Sequence, residues 1–322
     1  MSMLDLRTLP KAHLHLHLTG SMRPPTLAEL AARYGVPVPP PLAGAGHTWA
    51  DFQGRYDAAR AVLRTAEDIA RVVREAAEDD AADGAGWLEI QVDPTSCAPR
   101  LGSLEAVLDA VLAGAAEAPI PVGVIVAASW ASGADHAERL ARLAGSAAGV
   151  VGFGLSNDER LGRPADFARA CRIAAEAGLR IVPHAGFYEP ASHVRDCVEL
   201  LGAHRVGHAV TAAGSPETLQ LLGDRSVAVE LCPSSYPPLG VVPGLAAIRL
   251  RELMAAGVPV ALGSDDPLLF GVGLAGQYEI ARSHLGLSDA ELAGLARQSI
   301  VYSAAPLAVR QKLLDTPAHR VW

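Results

Sequence analysis

Lysine is almost absent from this chain of 322 residues, which contains only Lys11 and Lys312. Lysine supplies the phosphate-binding cation of P-loop enzymes, the amine of Schiff-base enzymes and, when carboxylated, a bridge between two metal ions. Neither lysine lies in a sequence context that suits these roles. The sequence therefore argues against all three mechanisms, and any metal site should hold a single ion.

Several features that mark other protein classes are also missing. The first ten residues have neither the basic start nor the apolar run of a secretory signal, and no apolar run approaches membrane-spanning length. The net charge of -8 argues against a surface for nucleic acid or anionic membrane. We therefore expect a cytoplasmic protein that acts on a small neutral or cationic molecule, and a homo-oligomer is compatible with this composition.

Cysteine is scarce, and its spacing predicts no metal or disulfide framework. The four cysteines lack C-x-x-C pairs, so buried free thiols are expected at Cys97, Cys171, Cys197 and Cys232. No G-x-G-x-x-G follows a predicted strand, which disfavours a dinucleotide site.

The most informative stretch is KAHLHLHLTG at residues 11–20, in which three histidines alternate with apolar residues. Alternation with a period of two is strand spacing, so His13, His15 and His17 are predicted to share one face of a strand. Imidazoles on one face can bind a single divalent metal ion. A histidine-rich surface strand is the alternative, and the ligand candidates at later strand ends count against it.

Downstream, short apolar stretches alternate with amphipathic helical patterns. Seven further strands are predicted at residues 86–92, 122–128, 150–155, 179–183, 205–208, 227–231 and 258–262. Eight strands separated by helices are typical of a (β/α)₈ TIM barrel of the α/β class rather than an open doubly wound sheet. We predict one barrel domain over residues 1–322, with extra C-terminal helices packed on its exterior.

Aromatic residues follow soon after the histidine stretch. Trp49, Phe52 and Tyr56 lie close together in a segment that begins in a loop rich in proline and glycine. Two interpretations are open: the segment covers a site, or the aromatic side chains only pack between helices.

Ionisable side chains stand at the carboxyl ends of several predicted strands, namely His15, His17, His184, His208 and Asp265. Barrel enzymes assemble their sites at this rim, and closure makes strand one the neighbour of strand eight. Three imidazoles and one carboxylate around a divalent ion leave room for a water, whose pKa the ion lowers towards neutrality. The pattern predicts a hydrolytic site in which His208 orients or deprotonates the water and Asp266 reaches the water or the substrate. Taken alone, His208 would more often be a structural core histidine.

Six ordered motifs in this chain resemble the adenosine deaminase family of the amidohydrolase superfamily over nearly the whole sequence. They are Leu9-Pro10-Lys11 leading into His15-Leu16-His17-Leu18, Asp158-Glu159, His184-Ala185-Gly186, Arg205-Val206-Gly207-His208, Cys232-Pro233 and Ser264-Asp265-Asp266-Pro267. The resemblance implies one zinc ion per chain, bound by His15, His17, His184 and Asp265. It also implies water activation by His208 and contact of Asp266 with the reacting heterocycle or the nucleophile.

Three substrate-facing positions depart from the family pattern. Family members usually have His-Ala-Gly-Glu, in which the glutamate protonates the purine ring nitrogen, but Phe187 stands at that position here. The ribose-contacting aspartate of the family is replaced by Thr19, and the glycine before Asp158-Glu159 is replaced by Asn157. Because every metal position is kept, the resemblance implies retained metal chemistry on a substrate other than plain adenosine.

The missing glutamate leaves the general acid unassigned. Glu189, two residues after Phe187, is the candidate that the sequence offers, and a solvated loop glutamate is the alternative. The predicted substrate-binding positions are Thr19, Asn157, Gly186 and Phe187.

Three functions are compatible with these residues. The first is a zinc-dependent aminohydrolase acting on a purine-like or other amino-substituted heterocycle. The second is a metal-dependent hydrolase of another carbon–nitrogen bond, in a cyclic amide or imide. The third is a metal-binding pseudoenzyme, against which the presence of both His208 and Asp266 argues, because a pure binder does not need to activate water.

Overall fold

A computed structural model of the chain describes residues 4–40, 42 and 44–316. Eight parallel strands form one sheet in chain order. They are β1 Lys11–His17, β2 Ala85–Val92, β3 Val122–Ser129, β4 Val150–Ser156, β5 Arg180–Ala185, β6 Arg205–His208, β7 Ala228–Leu231 and β8 Val260–Leu262. Neighbouring strands pair along the whole order, so that only β1 and β8 require a further contact to complete a barrel.

The sheet closes through the residues that follow β8. The backbone N–H of Asp265 donates to the carbonyl of His15 at 3.1 Å, and the N–H of His17 donates to the carbonyl of Asp265 at 3.1 Å. This parallel bridge joins the last strand to the first. The fold is the predicted (β/α)₈ barrel, and its closure brings two predicted metal-binding segments together.

Helices connect the strands and cover the outside of the barrel. They are α1 Pro24–Tyr34, α2 Trp49–Arg60, α3 Ala66–Ala82, α4 Ala98–Leu101, α5 Leu104–Ala116, α6 Ala134–Ser146, α7 Pro164–Glu176, α8 Ala191–Leu200, α9 Pro216–Asp224, α10 Leu250–Ala255, α11 Pro267–Phe270, α12 Leu274–Ser283, α13 Asp289–Tyr302 and α14 Leu307–Leu314. None of these described helices is both long and apolar enough to cross a lipid bilayer.

Local sequence signals account for several helix ends. Thr65 and Ser288 each accept a hydrogen bond from the backbone N–H three residues on, and Asp68 and Glu291 return one, which gives complete capping boxes at α3 and α13. The C-terminal helices pack on the barrel as predicted: Ser299 of α13 accepts a hydrogen bond from the N–H of Ala12 in β1 at 2.9 Å.

Most strand residues are buried, because helices cover one side of the sheet and the barrel interior fills the other. The predicted strands are all present, and their ends differ by no more than two residues from those observed. Strand β5 continues through His184 and Ala185, which places the His184 ring on a rigid strand. All four cysteines are buried free thiols, as predicted.

Candidate active site

Three imidazoles and one carboxylate converge at the carboxyl ends of β1, β5 and β8. The Nε2 atoms of His17 and His184 lie 3.1 Å apart, and Asp265 Oδ1 lies 3.3 Å from His17 Nε2 and 3.6 Å from His15 Nε2. The nitrogens of His15, His17 and His184 form one group with the spacing of shared metal ligands. These are the four ligand positions that the sequence predicts.

The unsatisfied nitrogens of this group fit a divalent metal ion. His15 Nε2 is buried and has no hydrogen-bond partner among the described residues. His15 Nδ1 donates a hydrogen bond to Glu230, and His184 Nδ1 donates one to the carbonyl of Leu155 at 2.8 Å. Buried polar atoms normally have partners, and a metal ion would supply one to each inward-facing nitrogen.

A buried chain of charges lies behind His15. Glu230 of β7 accepts from His15 Nδ1 at 2.8 Å and from Arg205 Nε at 2.5 Å, and Arg205 also donates to Glu89 of β2. Burial raises the pKa of Glu230, but Arg205 and His15 outweigh burial and leave that pKa lowered. An ionised Glu230 fixes the tautomer that turns His15 Nε2 towards the metal position.

Glu230→Gln is expected to weaken metal binding by about 10- to 100-fold, because an amide cannot hold His15 as a carboxylate does. Metal affinity measured by competition with a chelator would show the change. Glu252→Gln is the matched control, since the Glu252 side chain is 43% exposed and pairs only with Arg249 among the described residues. Equal affinities in the two variants would contradict this role of Glu230.

Several residues around this group have left-handed backbone angles that non-glycine residues rarely adopt. Asn157, His208 and Asp265 have φ values of 74°, 69° and 60°. Each follows or ends a strand at the carboxyl rim. Strained backbone of this kind clusters at functional sites, where surrounding structure holds it in place.

His208 and Asp266 lie beside this group, and each has a buried polar atom without a hydrogen-bond partner among the described residues. The His208 ring centroid is 4.8 Å from that of His15 and 5.0 Å from that of His184. His208 Nδ1 and Asp266 Oδ1 have no hydrogen-bond partner among the described residues. A Cβ at Gly20 would lie 1.7 Å from Asp266 Oδ1, so any residue other than glycine at position 20 would clash with the Asp266 carboxyl group.

His13, which strict alternation places on the same face as His15 and His17, forms its contacts elsewhere. Its Nδ1 pairs with Asp80 of α3 at 2.8 Å, and its Nε2 accepts from the N–H of Ser264 at 2.9 Å. The register of β1 against β2 shifts between His13 and Leu16. The prediction of a shared face is wrong for His13, because an irregularity of pairing does not show in the alternation of residue types.

An open cavity leads to this group. Trp49, Phe52 and Tyr56 of α2 line it, together with Phe270, which stacks on Phe52 with ring centroids 5.8 Å apart. Of the two interpretations of the α2 aromatics, the structure supports the one in which they cover a site. Apolar walls with a few polar groups are typical of small-molecule sites.

The predicted substrate-binding residues divide into two sets. Thr19, Asn157 and Phe187 line the cavity. Gly186 does not: its φ is 70°, and its carbonyl accepts from the N–H of Thr211 at 3.0 Å. Glu189 also lies outside the lining and is half-buried, with its carbonyl bound by the Thr211 hydroxyl at 2.8 Å. The structure therefore does not bring Glu189 to the cavity.

Sequence reasoning missed two carboxyl groups at this site. Glu230 is a charged residue inside a short apolar strand, which is the signal that could have identified it. Glu159 was noted only as part of a motif, yet it is 2% exposed and lines the cavity.

The sequence profile of the adenosine deaminase family matches residues 10–319. The chain belongs to the adenosine deaminase family. Within that family it is similar to an adenosine/adenine deaminase from Streptomyces coelicolor, with 54% identity over 96% of this chain and 96% of the relative. It is thus an adenosine/adenine deaminase-like aminohydrolase, a hydrolase that acts on carbon–nitrogen bonds.

Solved structures of this family share the fold. An adenine deaminase from Arthrobacter aurescens superposes with a TM-score of 0.87 and 32% identity, covering 97% of this chain and 98% of that one. A zinc-bound amidohydrolase from Burkholderia ambifaria superposes with a TM-score of 0.85 and 26% identity, covering 95% of this chain and 89% of that one. The Arabidopsis protein ADAL in complex with IMP has a TM-score of 0.85 and 25% identity, with 96% of each chain covered.

Proposed function

We propose that this deaminase-family enzyme is zinc-dependent and removes the exocyclic amino group of a 6-aminopurine that carries an anionic substituent. The observation that carries the proposal is the convergence of three imidazoles and Asp265 at the end of an aromatic cavity, with His208 and Asp266 beside them. The four free thiols fit a cytoplasmic location.

His15, His17, His184 and Asp265 would hold the zinc ion, since neutral imidazole and carboxylate are zinc ligands. A bound zinc ion lowers the pKa of a water enough to provide hydroxide near neutral pH. The zinc-bound relative from Burkholderia ambifaria supports the choice of metal. One ion per chain is supported by the overlap of the three candidate ligand groups among the described residues, since any two of them share His15, His17 or Asp265.

The protein's own side chains handle the proton and orient the reactants. Burial lowers the pKa of His208, so its imidazole is neutral at pH 7 and has an unprotonated nitrogen for the attacking water. Asp266, whose pKa is raised by burial and by the adjacent Asp265, faces the same space with a free oxygen. The aromatic walls hold a planar heterocycle and exclude bulk water.

Arg60 supports an anionic substituent on the substrate. Among the described residues that line the cavity it is the only lysine or arginine. Its guanidinium lies 4.8 Å from the centre of the Tyr56 ring and donates to Ser96 at 2.5 Å, and the Asp57 carboxylate is 3.5 Å away. The family's aspartate at position 19 is a threonine here, which removes a negative charge from the same cavity.

An anionic substrate differs from the neutral or cationic one that the net charge predicts. Net charge averages over the whole surface, whereas a ligand in a cavity meets the local charge of Arg60. The Arabidopsis relative complexed with IMP shows that a barrel of this family can hold a purine nucleotide.

Ammonia release from adenine, adenosine, AMP and a set of cyclic amides and imides tests the proposed function. We expect ammonia release from the aminopurines, with AMP as the best substrate among them. Hydrolysis of the cyclic amides alone would instead establish the second function considered from the sequence.

Arg60→Gln is expected to raise KM for AMP by about 10- to 100-fold and to leave KM for adenosine nearly unchanged, because hydrogen bonds to a charged group contribute about 1.5–3 kcal/mol. Steady-state kinetics with both substrates measure this. Arg160→Gln is the matched control: Arg160 also stacks on a tyrosine, at 4.5 Å from the centre of Tyr188, but does not line the cavity. Equal effects on AMP and adenosine would contradict an anion-binding role.

A further inference from the structure

The cavity contains a buried carboxyl group with one free oxygen. Glu159 follows β4, and its Oε1 accepts hydrogen bonds from the backbone N–H of Tyr188 at 2.5 Å and of Glu189 at 2.6 Å. Its Oε2 is buried and has no hydrogen-bond partner among the described residues. A buried, ionised carboxylate oxygen without a donor costs far more free energy than the same oxygen in its protonated form.

This carboxyl group lies in the loop after β4, and Phe187 lies in the loop after β5. Strands β4 and β5 pair in parallel, so the loops that follow them are neighbours at the carboxyl rim. Phe187 stands where family members have the proton-donating glutamate, and its ring packs against His208 with centroids 4.7 Å apart. The site therefore lacks the usual acid but retains a carboxyl group within the same cavity.

The groups around Glu159 favour its neutral form. Burial raises the pKa of Glu159, and the charge of Glu189 acts in the same direction, against the opposing effect of the backbone N–H donors. His193 Nδ1 is 3.7 Å from Oε2, and burial lowers the pKa of His193, so it brings no positive charge. The nearby Arg160 guanidinium is bound by both oxygens of Asp158.

We propose that Glu159 is the general acid of this enzyme and donates its Oε2 proton to the ring nitrogen beside the amino-bearing carbon. The inference rests on the proposed aminohydrolase function, because it assumes an aminoheterocycle in the cavity. It assigns to Glu159 the role for which the sequence offered Glu189.

The protons balance over one turnover. As water oxygen bonds to the amino-bearing carbon, one water proton passes to His208 and the Glu159 proton passes to the ring nitrogen. The carbon–nitrogen bond to the amino group then breaks, and the proton held by His208 leaves with it as ammonia. The second water proton restores Glu159, and the product keeps a carbonyl group beside a protonated ring nitrogen.

The other carboxyl groups suit this role less well. Asp265 and Asp266 belong to the metal end of the cavity. Asp93, after β2, is half-buried and its Oδ1 caps the N–H of Thr95 at 2.9 Å. Glu189 does not line the cavity.

Glu159→Gln tests the proposal, because glutamine keeps the Oε1 acceptor for the two backbone donors but has no acidic proton. We expect kcat for the best aminopurine to fall by about 10²- to 10⁴-fold, the range for a positioned general acid, with KM and melting temperature little changed. Glu189→Gln is the matched control and should retain wild-type kcat. A Glu159→Gln enzyme as fast as wild type, or a Glu189→Gln enzyme that carries the loss, would overturn the proposal.

A second measurement does not depend on activity. Infrared difference spectra of wild-type protein at neutral pH, with and without ¹³C-glutamate labelling, should show a carbonyl band of a protonated glutamic acid that Glu159→Gln lacks. Absence of that band in the wild type would overturn the proposal even if the variant failed to fold. If the wild type released no ammonia from any aminopurine, the proposed function would fail, and the band would still decide whether Glu159 is held as an acid.

Discussion

His17→Ala and Asp265→Ala are expected to yield folded protein without a bound metal ion and with ammonia release at the background level. His17 Nε2 lies 3.1 Å from His184 Nε2 and 3.3 Å from Asp265 Oδ1, so each substitution removes a ligand from the centre of the group. Catalytic zinc sites hold the ion through about three protein ligands and leave a further position for water, so the loss of one ligand strongly lowers the affinity for the ion.

Elemental analysis of the purified variants measures the first effect, and an ammonia assay measures the second. His284→Ala is the control, because His284 is an exposed histidine at the end of α12. Melting temperatures of the metal-depleted proteins separate loss of a ligand from loss of fold. Full metal occupancy in both variants would show that the ion lies elsewhere or that these residues do not bind it.

Much of the fold was predictable because its signals are local. Strand length and apolar content depend on residues close in sequence, and so do the capping boxes at Thr65 and Ser288. The barrel followed from counting these units and from the chemistry at the strand ends. Closure itself rests on two hydrogen bonds between Asp265 and β1, which no local pattern shows.

The site was predictable where function requires a residue type at a strand end. His15, His17, His184 and Asp265 are brought together as the sequence indicated. His13 was misplaced because a register shift in β1 alters its direction without altering the alternation of residue types.

The supporting residues were less predictable because their roles depend on long-range contacts. Glu230 acts on His15 from a strand 215 residues away in sequence. Similarly, Glu159 accepts a hydrogen bond from the N–H of Tyr188 in the loop after β5, although the two residues are 29 positions apart in the sequence. Proximity in sequence to Phe187 pointed instead to Glu189, whose backbone rather than side chain contributes to the arrangement.

Two arrangements of His208 are compatible with the positions of its neighbours. His208 forms one possible ligand group with His15, Cys232 and Asp265, and it also lies where a base for the water is needed. If His208 is the base, as proposed, the ligand role passes to His17 and His184, whose Nε2 atoms lie 3.1 Å apart.

His208→Ala is therefore expected to retain its metal ion and to lose turnover by about 10²-fold or more, the usual contribution of a positioned base. Metal content and kcat measured on the same preparation decide between the two arrangements. If the ion is lost together with activity, His208 is a ligand, and the water must be deprotonated by another group such as Asp266. If the ion is kept, a pH-independent loss of kcat with little change in KM places the effect on the chemical step rather than on substrate binding.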